Sequence, residues 1–130
     1  MNDTSPAPAP GPASALSRVR EIALLLPEVE ERASHGQPTF FVADKQFAQV
    51  RENHHGDGLT VVCVRTSGSD EQAMLIDAAP DTYSKPAYLG PSGWVGVTLD
   101  GDADWTLIED LIARSWELAA PRRLLEAGGR

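Results

Sequence analysis

Residues 88–105 read Tyr-Leu-Gly-Pro-Ser-Gly-Trp-Val-Gly-Val-Thr-Leu-Asp-Gly-Asp-Ala-Asp-Trp, and an amphipathic run continues to Ala119. Val95, Val97 and Leu99 alternate with Trp94, Gly96 and Thr98, the period of two that puts each set on one face of a strand. Beyond an acidic turn, Ile108, Leu111, Ile112, Ser115, Leu118 and Ala119 recur at steps of one, three and four and share one side of a helix. Strand and helix can therefore cover each other. Full burial of Ile108, Leu111, Ile112 and Leu118 supplies roughly 6 to 12 kcal/mol gross, before chain entropy is set against it.

Upstream of this unit, Leu59 to Arg65 alternates as a strand, with Leu59, Val61 and Cys63 opposite Thr60, Val62 and Val64. Thr39 to Ala43 and Gln46 to Glu52 flank a tight turn at Asp44-Lys45, so the centre of the chain reads as an antiparallel meander with a longer loop at Asn53 to Gly58. Ser34 to Pro38 is punctuation before the first strand. Glu28 to Arg32 reads as a solvated acidic loop. Ser14 caps a first helix whose Leu16, Val19, Ile22, Ala23 and Leu26 share a face, and Pro27 ends it. Ser69-Asp-Glu-Gln72 reads as a capping box for a short helix over Ala73 to Ile76 that stops before Pro80. From Asp81 to Gly93, Pro86, Gly90, Pro91 and Gly93 make the chain irregular, with room for a short strand. The sum is α+β: an antiparallel sheet packed by helices in a single domain over residues 14–124. Residues 1–13, rich in Pro and Ala, form a disordered tail, and residues 125–130 fray.

A chain of 130 residues with 42% hydrophobic side chains supports one core. Its 11 Lys and Arg against 19 Asp and Glu give a net charge of −8. That field repels a polyanion, so nucleic-acid binding requires a local basic patch. Cys63 is the only cysteine, which excludes an intrachain disulfide and a cysteine-rich zinc site. The opening Met-Asn-Asp-Thr-Ser-Pro has neither a basic nor an apolar leader region, and no apolar run approaches the roughly 20 residues that span a bilayer. The expectation is a cytoplasmic protein with no membrane segment, and monomeric.

The chemical motifs give way to simpler readings. Asp100, Asp102 and Asp104 imitate the start of a calcium loop, but the sixth position is Trp105 where glycine is needed and the twelfth is Leu111 where a glutamate is needed; a turn followed by a helix cap at Asp104 or Thr106 accounts for them. His54-His55 lack a third ligand at metal spacing and fit a loop tip. His35 has no nucleophile and supporting carboxylate to work with and fits a structural turn, though it stays the one candidate general base. Gly90-Pro-Ser92-Gly93 misses the nucleophile elbow by one position. Cys63 alternates with apolar residues and reads as core. Neither a metal nor another cofactor is expected, and no catalytic constellation is visible.

Binding candidates are clearer. Lys45, Arg51, Arg65, Lys85, Arg122 and Arg123 are the basic groups near turns, strands and the chain end. Tyr83, Tyr88 and Trp94 are aromatics that stack on a base or on a ligand's flat face when exposed; the simpler reading, which is preferred, packs these rings in the core and pairs the basic groups with nearby carboxylates.

Five pieces in order carry a family resemblance: Leu26-Pro-Glu-Val-Glu-Glu31, His35-Gly-Gln-Pro-Thr-Phe40, Lys45-Gln-Phe-Ala48, Tyr88-Leu-Gly90 through Gly93-Trp-Val-Gly-Val97, and Ala120-Pro-Arg-Arg-Leu124. Together they resemble the MmcQ/YjbR family over about residues 15 to 124. The resemblance implies a compact α+β domain similar to the secretion-chaperone architecture and a double-wing mode of DNA binding. It implies wings at Asp44-Lys45 and Asn53 to Gly58, with Lys45, Arg65, Arg122 and Arg123 as the DNA-contacting residues. The leading expectation is thus a non-enzymatic protein that binds DNA through hairpin wings. The alternative is an adaptor that binds a protein or small ligand on the sheet face around His35, Tyr88 and Trp94. An enzyme using His35 ranks third.

Overall fold

In the computed structural model, which describes residues 14–52 and 59–128, Val62 and Val64 face Val97 and Val95 across an antiparallel pair of strands. The elements run α1 (Ser14–Leu24), β1 (Val29–Ser34), β2 (Gln37–Val42), β3 (Lys45–Glu52), β4 (Thr60–Val64), α2 (Ser69–Ala78), β5 (Tyr83–Ser84), a 3-10 turn at Gly90–Ser92, β6 (Val95–Thr98), α3 (Trp105–Ala119) and α4 (Arg122–Glu126). The strands form one sheet in the order β1-β2-β3-β4-β6-β5, with every pair antiparallel. This is the α+β architecture that the alternating strands and amphipathic helices imply. The tail at residues 1–13 and the loop Asn53 to Gly58 lie outside the described residues. At the other end, α4 carries the chain past Leu124 to Glu126.

Four local expectations are corrected. Val29 to Ser34 is a strand where an acidic loop was expected. It is an edge strand, so Glu30 and Arg32 remain in water and their charges cost nothing. His35-Gly36 is then a hairpin turn rather than mere punctuation, with φ of 53° and 77°. The next turn is Ala43-Asp44, one residue earlier than expected, because Val42 pairs with Lys45. Its φ values of 49° and 66° give the doubly left-handed form that suits two-residue hairpins, here without glycine. The capping box fails as well. Gly68 is the N-cap of α2 without a side-chain cap, and Gln72 sends its amide to Gly90 O at 2.9 Å and Trp94 O at 2.7 Å. Satisfying two buried carbonyls outweighs reaching back to an exposed amide.

On the inner face of the sheet, Phe40, Val42, Phe47, Val50, Val62, Val64, Val95 and Val97 are buried under Val19 and Ala23 of α1 and Ile108, Ile112 and Trp116 of α3. The buried side of α3 is turned from the expected one. Trp116 is fully buried while Leu118 is 43% exposed and Leu111 only partly covered, since hiding the indole removes more apolar area than hiding a leucine. Trp116 Nε1 donates to Pro27 O at 3.1 Å, which satisfies its one polar atom.

The register of β2 against β3 slips between Phe40 and Phe41, so Phe40 pairs with Ala48 and Phe41 with Gln46. Phe47 is the extra residue of this bulge, and both it and Ala48 are fully buried. Gln46 and Gln49 consequently share the outer face with their partners Phe41 and Thr39. Among the described residues, no helix is long and apolar enough to cross a membrane.

Candidate ligand-binding cleft

The outer face of the sheet carries polar side chains where a one-sided sheet would meet water, yet several of them are buried. Thr39 is fully buried, Gln49 is 3% exposed and Arg51 is 6% exposed. They satisfy one another in series: Thr39 Oγ1 donates to Gln37 O at 2.9 Å, Gln49 Nε2 donates to Thr39 Oγ1 at 2.9 Å and to Ser34 O at 3.2 Å, and Arg51 Nε donates to Gln49 Oε1 at 2.8 Å. Arg51 Nη1 then reaches Ala87 O at 3.0 Å. That last bond ties β3 to the loop before β6.

Ala87 O also accepts from Leu89 N at 2.7 Å, which closes a three-residue γ-turn around Tyr88. Tyr88 has φ of 66°, a region that bulky side chains avoid. Its ring is 91% exposed. Strained backbone persists where the surroundings over-determine it, and here the Arg51 guanidinium and the Gly90 N to Pro86 O bond of 2.8 Å do so. Beside this turn lies a cleft of about 420 Å³ lined by His35, Gln37, Gln46, Gln49, Arg51, Tyr88 and Leu89. The volume falls in the range of small-molecule sites. Gln49 and Arg51 floor it already bonded, while the Gln37 and Gln46 amides and the Tyr88 hydroxyl have no protein partner among the described residues.

A YjbR family model matches residues 24–118, most of the chain and all of the sheet. The chain belongs to the YjbR family. It is similar in fold to the crystal structure of Deinococcus radiodurans protein DR2400, which carries the domain DUF419. That likeness has a TM-score of 0.66 at 21% sequence identity and covers 79% of this chain and 76% of the other. No curated protein matches the chain.

Within this YjbR domain the residues singled out from sequence separate. His35 and Tyr88 meet at the cleft. Trp94 does not offer its ring there: it is 3% exposed and packs with Val61, Cys63 and Leu89 in a small cluster on the outer face. Arg65 lies over that indole, 5.1 Å from its centroid, and donates Nε to Gln46 O at 2.8 Å. Lys45 is exposed at the start of β3. Arg122 pairs with Glu126 at 2.9 Å and Arg123 makes a two-pronged pair with Glu28 at 2.9 and 3.0 Å. Each of those two guanidiniums is thus held by a carboxylate, and the Glu28 carboxyl is held below its usual range by Arg123.

Other motif residues serve the backbone. Asp104 caps α3 by accepting from Leu107 N at 3.2 Å, and Asp100 accepts from Thr60 N at 2.6 Å. Ser34 Oγ and His35 Nδ1 are 3.2 Å apart on the exposed first hairpin, with no carboxylate behind the ring among the described residues. Burial pushes the Cys63 thiol up to about 11, so it is protonated and unreactive at neutral pH. Gln37, Gln46 and Gln49 are the site residues that sequence reading missed, and Arg51 was named there only as one of several basic groups. The available signal was three glutamines and an arginine at outward strand positions, but it becomes specific only once the bulge and the Tyr88 turn are known.

Proposed function

We propose that this YjbR-family chain is a non-enzymatic binding module and that its site is the cleft on the outer face of the sheet. The carrying observation is Tyr88: a nearly fully exposed ring on a strained turn, anchored by a buried arginine at the rim of a polar cleft. Burying Thr39, Gln49 and Arg51 is costly compared with an apolar outer face, and what it secures is the position of that ring. The cleft supplies a flat stacking surface and amide groups that both donate and accept, which suits a small ligand with a planar polar group. Amide NMR of the 15N-labelled chain titrated with adenosine and with indole-3-acetamide tests this. The expected result is shifts concentrated at Gln37, Gln46, Gln49 and Tyr88, lost in Tyr88→Ala. Shifts located elsewhere, or unchanged in that variant, would reject the cleft.

DNA is the second reading. It is favoured by Lys45, which stands exposed beside the second hairpin turn next to Gln46. Weighing against it are the net charge of −8 and the carboxylate partners of Arg122 and Arg123. Fluorescence anisotropy of a labelled duplex decides it. Binding at about 50 mM salt that collapses near 150 mM and weakens in Lys45→Ala supports DNA, and no binding at ~100 μM protein excludes even ordinary non-specific contact.

A further inference from the structure

We infer that the ligand of the cleft is an acid, a flat group stacked on Tyr88 and joined to a carboxylate or phosphate that Arg65 holds. This rests on the cleft reading above. Arg65 follows β4 directly and falls on the outer face, where its guanidinium lies over Trp94 and its Nε is fixed by the carbonyl of Gln46, a cleft residue. That leaves both Nη groups without a protein hydrogen-bond partner among the described residues.

The contrast with the other arginines is informative. Arg20 pairs with Glu31, Arg32 with Asp44, Arg114 with Glu71, Arg122 with Glu126 and Arg123 with Glu28, buried Arg51 is spent on Gln49 and Ala87, and Arg18, which lies over Trp105, is exposed to water. Arg65 is half-buried and has no carboxylate among the described residues, in a chain with an excess of acids. Burial alone lowers its pKa, with no acidic neighbour acting the other way. A partly desolvated cation is unfavourable until an anion joins it, and a guanidinium fork with both Nη groups open matches the two oxygens of a carboxylate or phosphate. Leu89 links the two halves of the site, since it lines the cleft and packs on the Trp94 cluster beneath Arg65. A ligand lying along Leu89 would run from Tyr88 toward the Trp94 cluster that Arg65 covers.

The experiment uses two matched pairs of probes with the full 15N-labelled chain: adenosine against adenosine monophosphate, and indole-3-acetamide against indole-3-acetate. In at least one pair the acid is expected to bind about tenfold or more tightly than its neutral partner, the usual scale of a charge-assisted hydrogen bond, and the pair that shows it identifies phosphate or carboxylate as the anion. Arg65→Gln should erase the acid's advantage and leave the neutral partner's affinity unchanged, while Arg65→Lys retains part of it. Tyr88→Ala should weaken acid and neutral probes alike. Amide shifts of Val62 and Val64 report that the Arg65 variants stay folded. Neutral probes that bind the cleft with no preference for the acid, or an Arg65→Gln change that weakens both members equally, would sink the acid inference while leaving the cleft intact. No shift at Gln37, Gln46 or Tyr88 with any of the four at about 5 mM would overturn both.

Discussion

Arg51 donates Nη1 to the carbonyl of Ala87 at 3.0 Å, and this bond joins the middle of the sheet to the turn that projects Tyr88. The two residues are 36 positions apart, and the same guanidinium is braced by Gln49 through Nε. A strained loop and a buried polar network are each unfavourable in isolation. Together they hold one aromatic ring in a fixed place beside an open cleft.

Arg51→Ala should therefore do two things. It leaves Gln49 Oε1, which is buried, and Ala87 O, which is part-buried and keeps Leu89 N, without this donor; at about 1 to 3 kcal/mol for each group, a total loss of roughly 2 to 6 kcal/mol is expected in urea unfolding. It should also free the turn, and hydrogen exchange at Leu89 and Gly90 should accelerate by more than the global loss accounts for. Uniform acceleration across the sheet would show that Arg51 is only a core residue.

Tyr88→Gly is expected to stabilise the protein while removing binding. A non-glycine residue at φ of 66° carries about 1 to 3 kcal/mol of strain, and the glycine gives back roughly 0.5 to 1 through the freedom of its unfolded chain. Almost no burial is lost because the ring is exposed. The net expectation is a gain of roughly 1 kcal/mol by urea unfolding together with loss of the cleft shifts. A destabilised variant would mean that the ring packs on something in solution.

The parts of the fold that were legible in sequence are those fixed by local period. Val95 to Thr98 and Thr60 to Val64 show their faces within a few residues, whereas Trp105 to Ala119 shows that it is a helix but not that its buried side turns toward Trp116. Val29 to Ser34 hid because an edge strand keeps charges such as Glu30 and Arg32, so it lacks an apolar alternation. Ala43-Asp44 hid because its left-handed dihedrals come without glycine. Of the cleft, His35 and Tyr88 were legible as a surface, and Arg51 only as one basic group among several. Gln49 and Arg51 have partners from distant segments, and Trp94, which seemed fit for an exposed surface, is covered by Leu89 and by Arg65. Long-range closure of that kind leaves no trace in spacing.

Ser115→Ala tests the bulge that creates the outer-face geometry. Ser115 is fully buried on α3, donates to Phe47 O at 2.5 Å and accepts from Arg65 N at 2.8 Å, so it serves the extra residue of β3 and the end of β4 at once. Removing the hydroxyl strands both groups and should cost about 1 to 3 kcal/mol for each. Leu118→Ala, on the exposed side of the same helix, should cost under about 1 kcal/mol in the same urea assay. Equal losses would place Leu118 in the core and contradict the turned face of α3.

Acid should destabilise the protein through Glu71. Arg114, bonded to it from α3, is the main reason that its carboxyl is held at about 2, against an ordinary value of 4.5; burial opposes this in part, and Ser67 N assists by donating at 2.8 Å. A carboxyl whose pKa is lower folded than unfolded releases its proton more readily in the folded state. Its contribution is therefore present above about pH 4.5 and is lost as the pH falls from there toward 2. The Glu28 and Glu31 carboxyls are shifted the same way by Arg123 and Arg20, so the whole protein should weaken across that window. Glu71→Gln keeps the shape but not the charge. It should be less stable than the parent at pH 7, and the gap should narrow as the pH drops to 3. Urea midpoints of both proteins at pH 7, 5 and 3 check this, and a gap that stays constant with pH would show that the Glu71–Arg114 pair contributes packing rather than charge.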